Sequence, residues 1–190
     1  TLILLSLLTI TARSASDGRR IRFSITAPQL LWIAVGAALI FLVGISGSIA
    51  ALSSMIFPSG SLTEGITRDF SSTSHMLLRI RPLHPIVAVL TAVFLTFWAG
   101  WVKANASKSK TVARWANILS ILVVVQIAFG ALTLLTLAPI LMQLGHLFLA
   151  DAIWISFVLL SFDLLASPVT ADHEDARQFT PSDTIASSEA

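Results

Sequence analysis

The chain has 190 residues, of which 55% are hydrophobic and only 12% are charged. Since soluble domains carry about 25% charged residues, this composition and a mean hydropathy of +0.86 indicate a protein embedded in the lipid bilayer. Cysteine is absent, which excludes disulfides, thiolate metal sites, iron–sulfur clusters and covalently attached haem.

The first apolar piece, residues 1–12, is too short to cross a bilayer. No basic region precedes it, and arginines follow it at Arg13, Arg19, Arg20 and Arg22. This order is typical of a helix that emerges on the cytoplasmic side rather than of a secretory signal. We therefore interpret 1–12 as the truncated end of a transmembrane helix and 13–27 as a cytoplasmic loop.

Four later segments are long enough for a membrane span, which takes about 20 residues. They cover 28–55, 82–102, 112–137 and 140–165, and together they predict a four-helix transmembrane domain at 28–165. The predicted fold is all-α: a polytopic membrane four-helix bundle preceded by the stump of one more helix. Pro139 predicts a very tight turn between the last two spans.

The distribution of basic residues predicts the orientation. Residues 13–22 and 103–114 each carry four arginines or lysines, whereas the long loop between the first two spans is poorer in them. The positive-inside rule then places the rich loops in the cytoplasm and the long loop outside the inner membrane. The acidic, polar tail at 166–190 is predicted to be cytoplasmic and disordered. Because the net charge is only +2 and the basic residues flank the spans, we predict a lipid environment and no nucleic-acid partner.

Two histidines begin spans from the same side. His84 opens the second span and His146 lies in the first turns of the fourth, so both are expected near the outer face at similar depth. Ionisable side chains inside a bilayer indicate function, and two imidazoles at one depth can hold a haem iron between them. The alternative is that His84 is an interfacial cap and His146 a polar contact between helices.

A haem also needs an apolar slot and cations for its propionates. The helical faces that follow the histidines predict the slot, through Ala88, Thr91 and Leu95 and through Ala150, Ile153 and Phe157. Small residues that allow close helix packing come from the first and third spans, at Gly44, Gly47, Ser48 and Gly130. Arg79 and Arg81 precede His84 and are candidate propionate ligands, although arginines there also anchor to lipid headgroups.

The remaining polar residues carry weaker predictions. His75 in the outer loop is interpreted as solvated, with a substitute ligand as the alternative, and Glu64 and Asp69 are expected to pair locally with Arg68. Asp151 lies five residues after His146, which turns it about 140° away around the helix. A proton relay through Asp151 is a weaker hypothesis than a polar contact with another helix.

Several stretches of the chain resemble the haem A synthase family, the membrane proteins of cytochrome oxidase assembly. The resemblance is to the C-terminal half of that family and covers most of residues 1–165. The more specific motifs are 79–85 (RIRPLHP) and 143–146 (QLGH); the others are 42–44 (LVG), 48–52 (SIAAL), 57–59 (FPS) and 126–132 (QIAFGAL).

The resemblance implies a protein of two similar four-helix halves, each with a histidine pair near the outer face. It implies that His84 and His146 hold haem b and relay electrons, while the other half binds the substrate haem O and oxidises its C8 methyl to the formyl of haem A. The expected partners are the N-terminal half that this sequence lacks, haem O synthase and assembly factors of the terminal oxidase. A fragment without that half is not expected to complete the reaction. A bis-histidine cytochrome b carrier and a non-enzymatic haem-binding or assembly module stay open.

Overall fold

The structure, a computed structural model, describes residues 2–17, 21–23, 26–105 and 109–168. Helices dominate this part of the chain. In order, the elements are α1 (Leu2–Asp17), β1 (Ile21–Phe23), α2 (Ala27–Ile56), α3 (Leu62–Asp69), α4 (Met76–Ile80), α5 (Leu83–Asn105), α6 (Lys110–Leu135), α7 (Ile140–Leu165) and β2 (Ala166–Pro168).

The predicted polytopic helical fold is confirmed. Within the described ranges, four helical segments are long and apolar enough to span a membrane, namely Ala27–Ile56, Met76–Asn105, Lys110–Leu135 and Ile140–Leu165. Large apolar side chains such as Phe97 and Phe148 remain 70% and 73% exposed on the outside of the bundle. An apolar exterior of this extent is expected where lipid, rather than water, surrounds the helices.

The segments that flank the bundle differ in part from the expectation. α1 continues to Asp17, beyond the predicted end at Ala12, and β1 forms within the predicted loop. β1 pairs with β2 in an antiparallel arrangement, with Ile21 opposite Pro168 and Phe23 opposite Ala166. The first residues of the predicted tail are therefore paired, and the prediction of disorder for 169–190 lies outside the described residues.

The buried core lies at one end of the bundle. It is formed by the second half of α5, the first half of α6 and the second half of α7, with Trp98, Leu119 and Leu160 among its most buried side chains. α5 packs against α2 and α6, and α7 packs against α6 and α1. Since successive long helices run in opposite directions, the start of α5 and the start of α7 meet the ends of α2 and α6 at the opposite end.

The short first helix is attached to α7 by polar contacts at two levels. Trp154 Nε1 donates to Ser6 Oγ at 2.9 Å, and the Arg13 guanidinium contacts the Asp163 carboxylate at 3.2 Å. The contacting residue further along α1 meets the residue further along α7, so the two helices run parallel. α1 thus covers the second half of α7, at the same end of the bundle as the core.

The turn between α6 and α7 holds two non-glycine residues in the left-handed region. Leu137 has φ 61° and Ala138 has φ 53°. The side-chain amide of Gln143 donates to the Ala138 carbonyl, and the Ala138 N–H donates to the Thr133 carbonyl at 2.8 Å. These hydrogen bonds stabilise the tight turn that Pro139 predicted.

A glycine at Ala138 is expected to stabilise the protein. An L-residue in the left-handed region costs about 1–2 kcal/mol, and part of that cost returns as extra freedom of the unfolded chain, so Ala138→Gly should gain about 0.5–1 kcal/mol. The matched control is Ala34→Gly, at an exposed position inside α2, which should lose about 1 kcal/mol. Thermal unfolding in detergent, followed by circular dichroism, compares the two. A midpoint lowered equally by both substitutions would show that the turn stores no strain.

Candidate functional site

The structure brings the two predicted histidines together. His84 in the first turn of α5 and His146 in the second turn of α7 have ring centroids 6.5 Å apart, and their planes are nearly perpendicular at 87°. Both side chains are half-buried. The approach depends on the antiparallel arrangement of the helices, which places both helix starts at one end of the bundle.

Each histidine ring lies against a glycine of the preceding long helix. A Cβ at Gly47 of α2 would lie 3.0 Å from Cε1 of His84, and a Cβ at Gly130 of α6 would lie 2.9 Å from Cε1 of His146. A Cβ at Gly130 would force the His146 ring to move, and a Cβ at Gly47 would require the His84 ring to shift by a few tenths of an ångström. Gly44, also predicted as a packing glycine, has nothing near its Cβ position.

The inward faces of α5 and α7 continue from the histidines into the core. Two and three turns further on, Thr91 and Leu95 are buried on α5, and Ile153 and Phe157 are buried on α7. The predicted faces therefore point into the bundle, and the two histidines lie on the same sides of their helices. An open apolar groove of about 510 Å³ runs between α5 and α6, bordered by residues that include Val89, Val93, Val123 and Ile127, and neither histidine lines it.

His84 is oriented by a serine that the sequence analysis did not single out. Ser46 Oγ lies 3.1 Å from His84 Nδ1 and donates its own proton to the Val43 carbonyl at 3.0 Å. If the hydroxyl proton stays with that carbonyl, Oγ accepts from the ring and Nδ1 of His84 carries the hydrogen. The lone pair of Nε2 is then available to a metal, as in most metal-bound histidines with a second hydrogen bond on the other nitrogen.

His146 is contacted by Gln126 of α6. The side-chain nitrogen of Gln126 lies 3.3 Å from Nε2 of His146 and donates to the backbone carbonyl of His146 at 3.1 Å. The Phe129 ring stacks nearly parallel to the imidazole, with centroids 6.4 Å apart. Nδ1 of His146 and Oε1 of Gln126 are buried, and within the described part of the chain neither has a hydrogen-bond partner.

The two predicted propionate ligands are placed very differently. Arg81 forms a two-point ion pair with Asp69, at 2.7 Å and 3.1 Å, and donates to the Gly65 carbonyl at 3.4 Å. It therefore attaches α3 to the segment before α5. Arg79 is exposed. The expected local pairing with Arg68 is seen for Glu64, at 3.6 Å, but was wrong for Asp69, whose carboxylate faces Arg81 instead.

The other predicted polar residues lie outside the pair. His75 is the N-cap of α4, where Nδ1 accepts from the Leu77 N–H at 3.2 Å, and its ring lies 5.2 Å from that of Phe57. Asp151 is exposed on α7. Gln143 bonds the α6–α7 turn and not the histidines.

The donor set restricts which metal group the site can hold. Among the described residues, no cluster of three or more histidine, cysteine, aspartate or glutamate side chains could hold a bare metal ion. Two imidazoles with centroids 6.5 Å apart in an apolar bundle suit a metal whose other ligands come with it, as in a porphyrin. The glycines under both rings and the free Nε2 of His84 fit this requirement.

Fold and site together define a class: helical membrane proteins with a histidine pair between their spans. The family model described as cytochrome oxidase assembly protein matches residues 1–158, so the chain belongs to that family. The match confirms the resemblance to the haem A synthases.

Two curated relatives also match. Both are named protoheme IX farnesyltransferase and come from two strains of Thermus thermophilus. They are 35% and 34% identical to this chain over 165 residues, or 87% of its length. The chain spans only 27% of the length of each relative. No solved structure matches the chain.

Proposed function

We propose that this chain is the haem b-binding half of a haem A synthase. In this proposal His84 and His146 are the axial ligands, and the site relays electrons for oxidation of the haem O C8 methyl to the formyl of haem A. The family of the chain, which serves cytochrome oxidase assembly, supports the reaction class. The protohaem in the relatives' printed name supports haem as the molecule handled.

The observation that carries the proposal is the separation of the two rings. A metal–imidazole bond is about 2 Å long, so two imidazoles that face each other across one metal have ring centres about 6 Å apart. The observed 6.5 Å between the centroids of His84 and His146 is close to that value.

The residues around the pair supply binding and orientation. A haem held by His84 and His146 would supply one-electron transfer. Ser46 contacts Nδ1 of His84, and Gly47 and Gly130 leave the space that the two rings occupy. The apolar spans exclude water, which strengthens every polar contact to the group. Arg79, exposed next to His84, is proposed as the propionate contact.

The relatives' printed activity, farnesyl transfer, is not proposed for this segment. Transfer from an allylic diphosphate calls for carboxylates that hold magnesium against phosphate oxygens. Among the described residues the acidic side chains are scattered, and Asp69 and Asp163 already face arginines. We assign that activity to the three quarters of the relatives' length that this chain does not match.

The proposed orientation in the membrane follows from the distribution of arginines and lysines between the loops. We propose that the protein lies in the inner membrane, with the histidine pair near the outer face and both basic loops in the cytoplasm. The proposed partners are an N-terminal half that binds haem O, haem O synthase and oxidase assembly factors. A cysteine introduced at exposed Ser72, labelled by an impermeant maleimide in intact cells, tests the orientation.

The proposed cofactor is tested on the purified chain itself. Expressed with sufficient haem and purified in detergent, the chain should contain about one haem per protein. It should give a sharp α band when reduced with dithionite, and its pyridine adduct should identify haem b. A chain without haem would contradict the proposal.

The reaction is tested in a host that makes haem O. The chain alone should retain haem b and yield no haem A, whereas the chain supplied with an N-terminal half should yield haem A in the extracted haems. If neither form yields haem A while the chain still binds haem b, the electron carrier or the non-enzymatic haem-binding module is the correct function.

A further inference from the structure

We infer that the two histidines are unequal ligands: His84 is fixed, whereas His146 is exchangeable because Gln126 competes with the metal for its Nε2. This inference rests on the proposed function, since it takes the metal to be haem iron. It assigns to Gln126 the role of a positioning residue that sets how firmly one axial ligand is held.

The fixed character of His84 follows from its contacts. Ser46 Oγ lies 3.1 Å from Nδ1, and in the tautomer that donates to this hydroxyl the lone pair of Nε2 is left for a metal. The ring also packs closely against Gly47 of α2. No described side chain donates to Nε2 of His84, so the hydrogen bonding of this residue favours metal binding and does not oppose it.

The contacts of His146 have the opposite arrangement. Because the backbone carbonyl of His146 can only accept, the amide group that faces it must be the NH₂ of Gln126, which fixes the orientation of the side-chain amide. The same NH₂ lies 3.3 Å from Nε2 of His146, so Nε2 must be the acceptor there. Nδ1 then carries the proton of His146, buried and without a hydrogen-bond partner among the described residues.

One lone pair cannot serve two partners. The Nε2 lone pair of His146 is the one a metal needs, and Gln126 already uses it. The unpartnered Nδ1 also means that no second hydrogen bond from the described residues strengthens His146 as a ligand, in contrast to His84. His146 would therefore hold the metal less firmly than His84, and a small diatomic molecule would compete with His146 for it.

Carbon monoxide measures this competition directly. In the reduced, haem-loaded chain, carbon monoxide should displace His146 and shift the Soret band. Gln126→Leu removes the competing donor at similar volume, so the affinity for carbon monoxide should fall about fivefold, the factor that a net hydrogen-bond contribution of typical size gives. If Gln126→Leu does not insert stably, Gln126→Met also lacks a donor and fits irregular space.

The matched control is Gln143→Leu, at the same helix pair but bonded to the turn. Its affinity for carbon monoxide should equal that of the wild type, which separates competition at Nε2 from loosening of the α6–α7 junction. A wild-type protein that binds no carbon monoxide, or equal affinity in wild type and Gln126→Leu, would overturn this inference alone. A chain that takes up no haem would overturn the proposed function with it.

Discussion

Alanine at His84 or at His146 is expected to remove haem from the purified protein. Loss of a hydrogen-bonding partner in the outer shell of a metal site costs about 10–100-fold in affinity, so loss of the ligand itself should cost more than about a hundredfold. Each substitution leaves one imidazole, its glycine and most of the apolar surroundings intact. The haem content per protein and the α band of the reduced spectrum give the result.

The matched control is His75→Ala. His75 caps a five-residue helix and touches Phe57, so its loss should cost about 1 kcal/mol of stability and no haem. The inference that the two ligands are unequal also predicts which variant loses more haem. His84→Ala should lose more than His146→Ala, because among the described contacts Nδ1 of His84 has a hydrogen bond and Nδ1 of His146 has none. Haem content unchanged in both histidine variants would refute the ligand assignment.

The spans and the meeting of the histidines could be predicted because they depend on coarse properties. Twenty or more apolar residues specify a span, and basic loops specify its direction. Once directions alternate, His84 and His146 must lie at one end, as the structure shows. The inward-facing sides of α5 and α7 could also be predicted, because a histidine and the residues four and seven positions later share one side of a helix.

The contacts around the histidines could not be predicted, because they depend on how each helix is rotated about its axis. Ser46 and Gln126 were visible as polar residues in apolar spans, and polarity alone did not distinguish Gln126 from Gln143. One usable signal was present: Gln126 and Gly130 are four residues apart and therefore face the same neighbour. In α2, the adjacent Ser46 and Gly47 offer no such periodicity.

The ion pair of Asp69 was missed for a different reason. Sequence reasoning paired it with the neighbouring Arg68, whereas the loop folds back and brings it to Arg81, twelve residues away. The pairing of β1 with β2 joins segments from opposite ends of the chain and was likewise invisible. Both contacts depend on loop paths, which no local pattern specifies.

Removal of the Arg81 side chain is expected to have the second large effect, this time on stability. The guanidinium and the Asp69 carboxylate are only 16% and 11% exposed, so Arg81→Ala leaves a poorly solvated negative charge and frees α3. Breaking a buried pair costs about 3–5 kcal/mol, and since this pair keeps some contact with solvent we expect about 2–3 kcal/mol. Titration with a denaturing detergent measures the free energy of unfolding.

The double variant Arg81→Ala/Asp69→Ala distinguishes an ion pair from a haem contact. If Arg81 mainly attaches α3, the double variant should be more stable than Arg81→Ala, because no unpaired charge remains. Both should then retain similar amounts of haem. If Arg81 binds a propionate, as the sequence suggested, both variants without it should lose haem while Asp69→Ala keeps it. Arg79→Ala, at an exposed position, should change stability by less than about 0.5 kcal/mol, so any loss of haem there identifies Arg79 as the propionate contact.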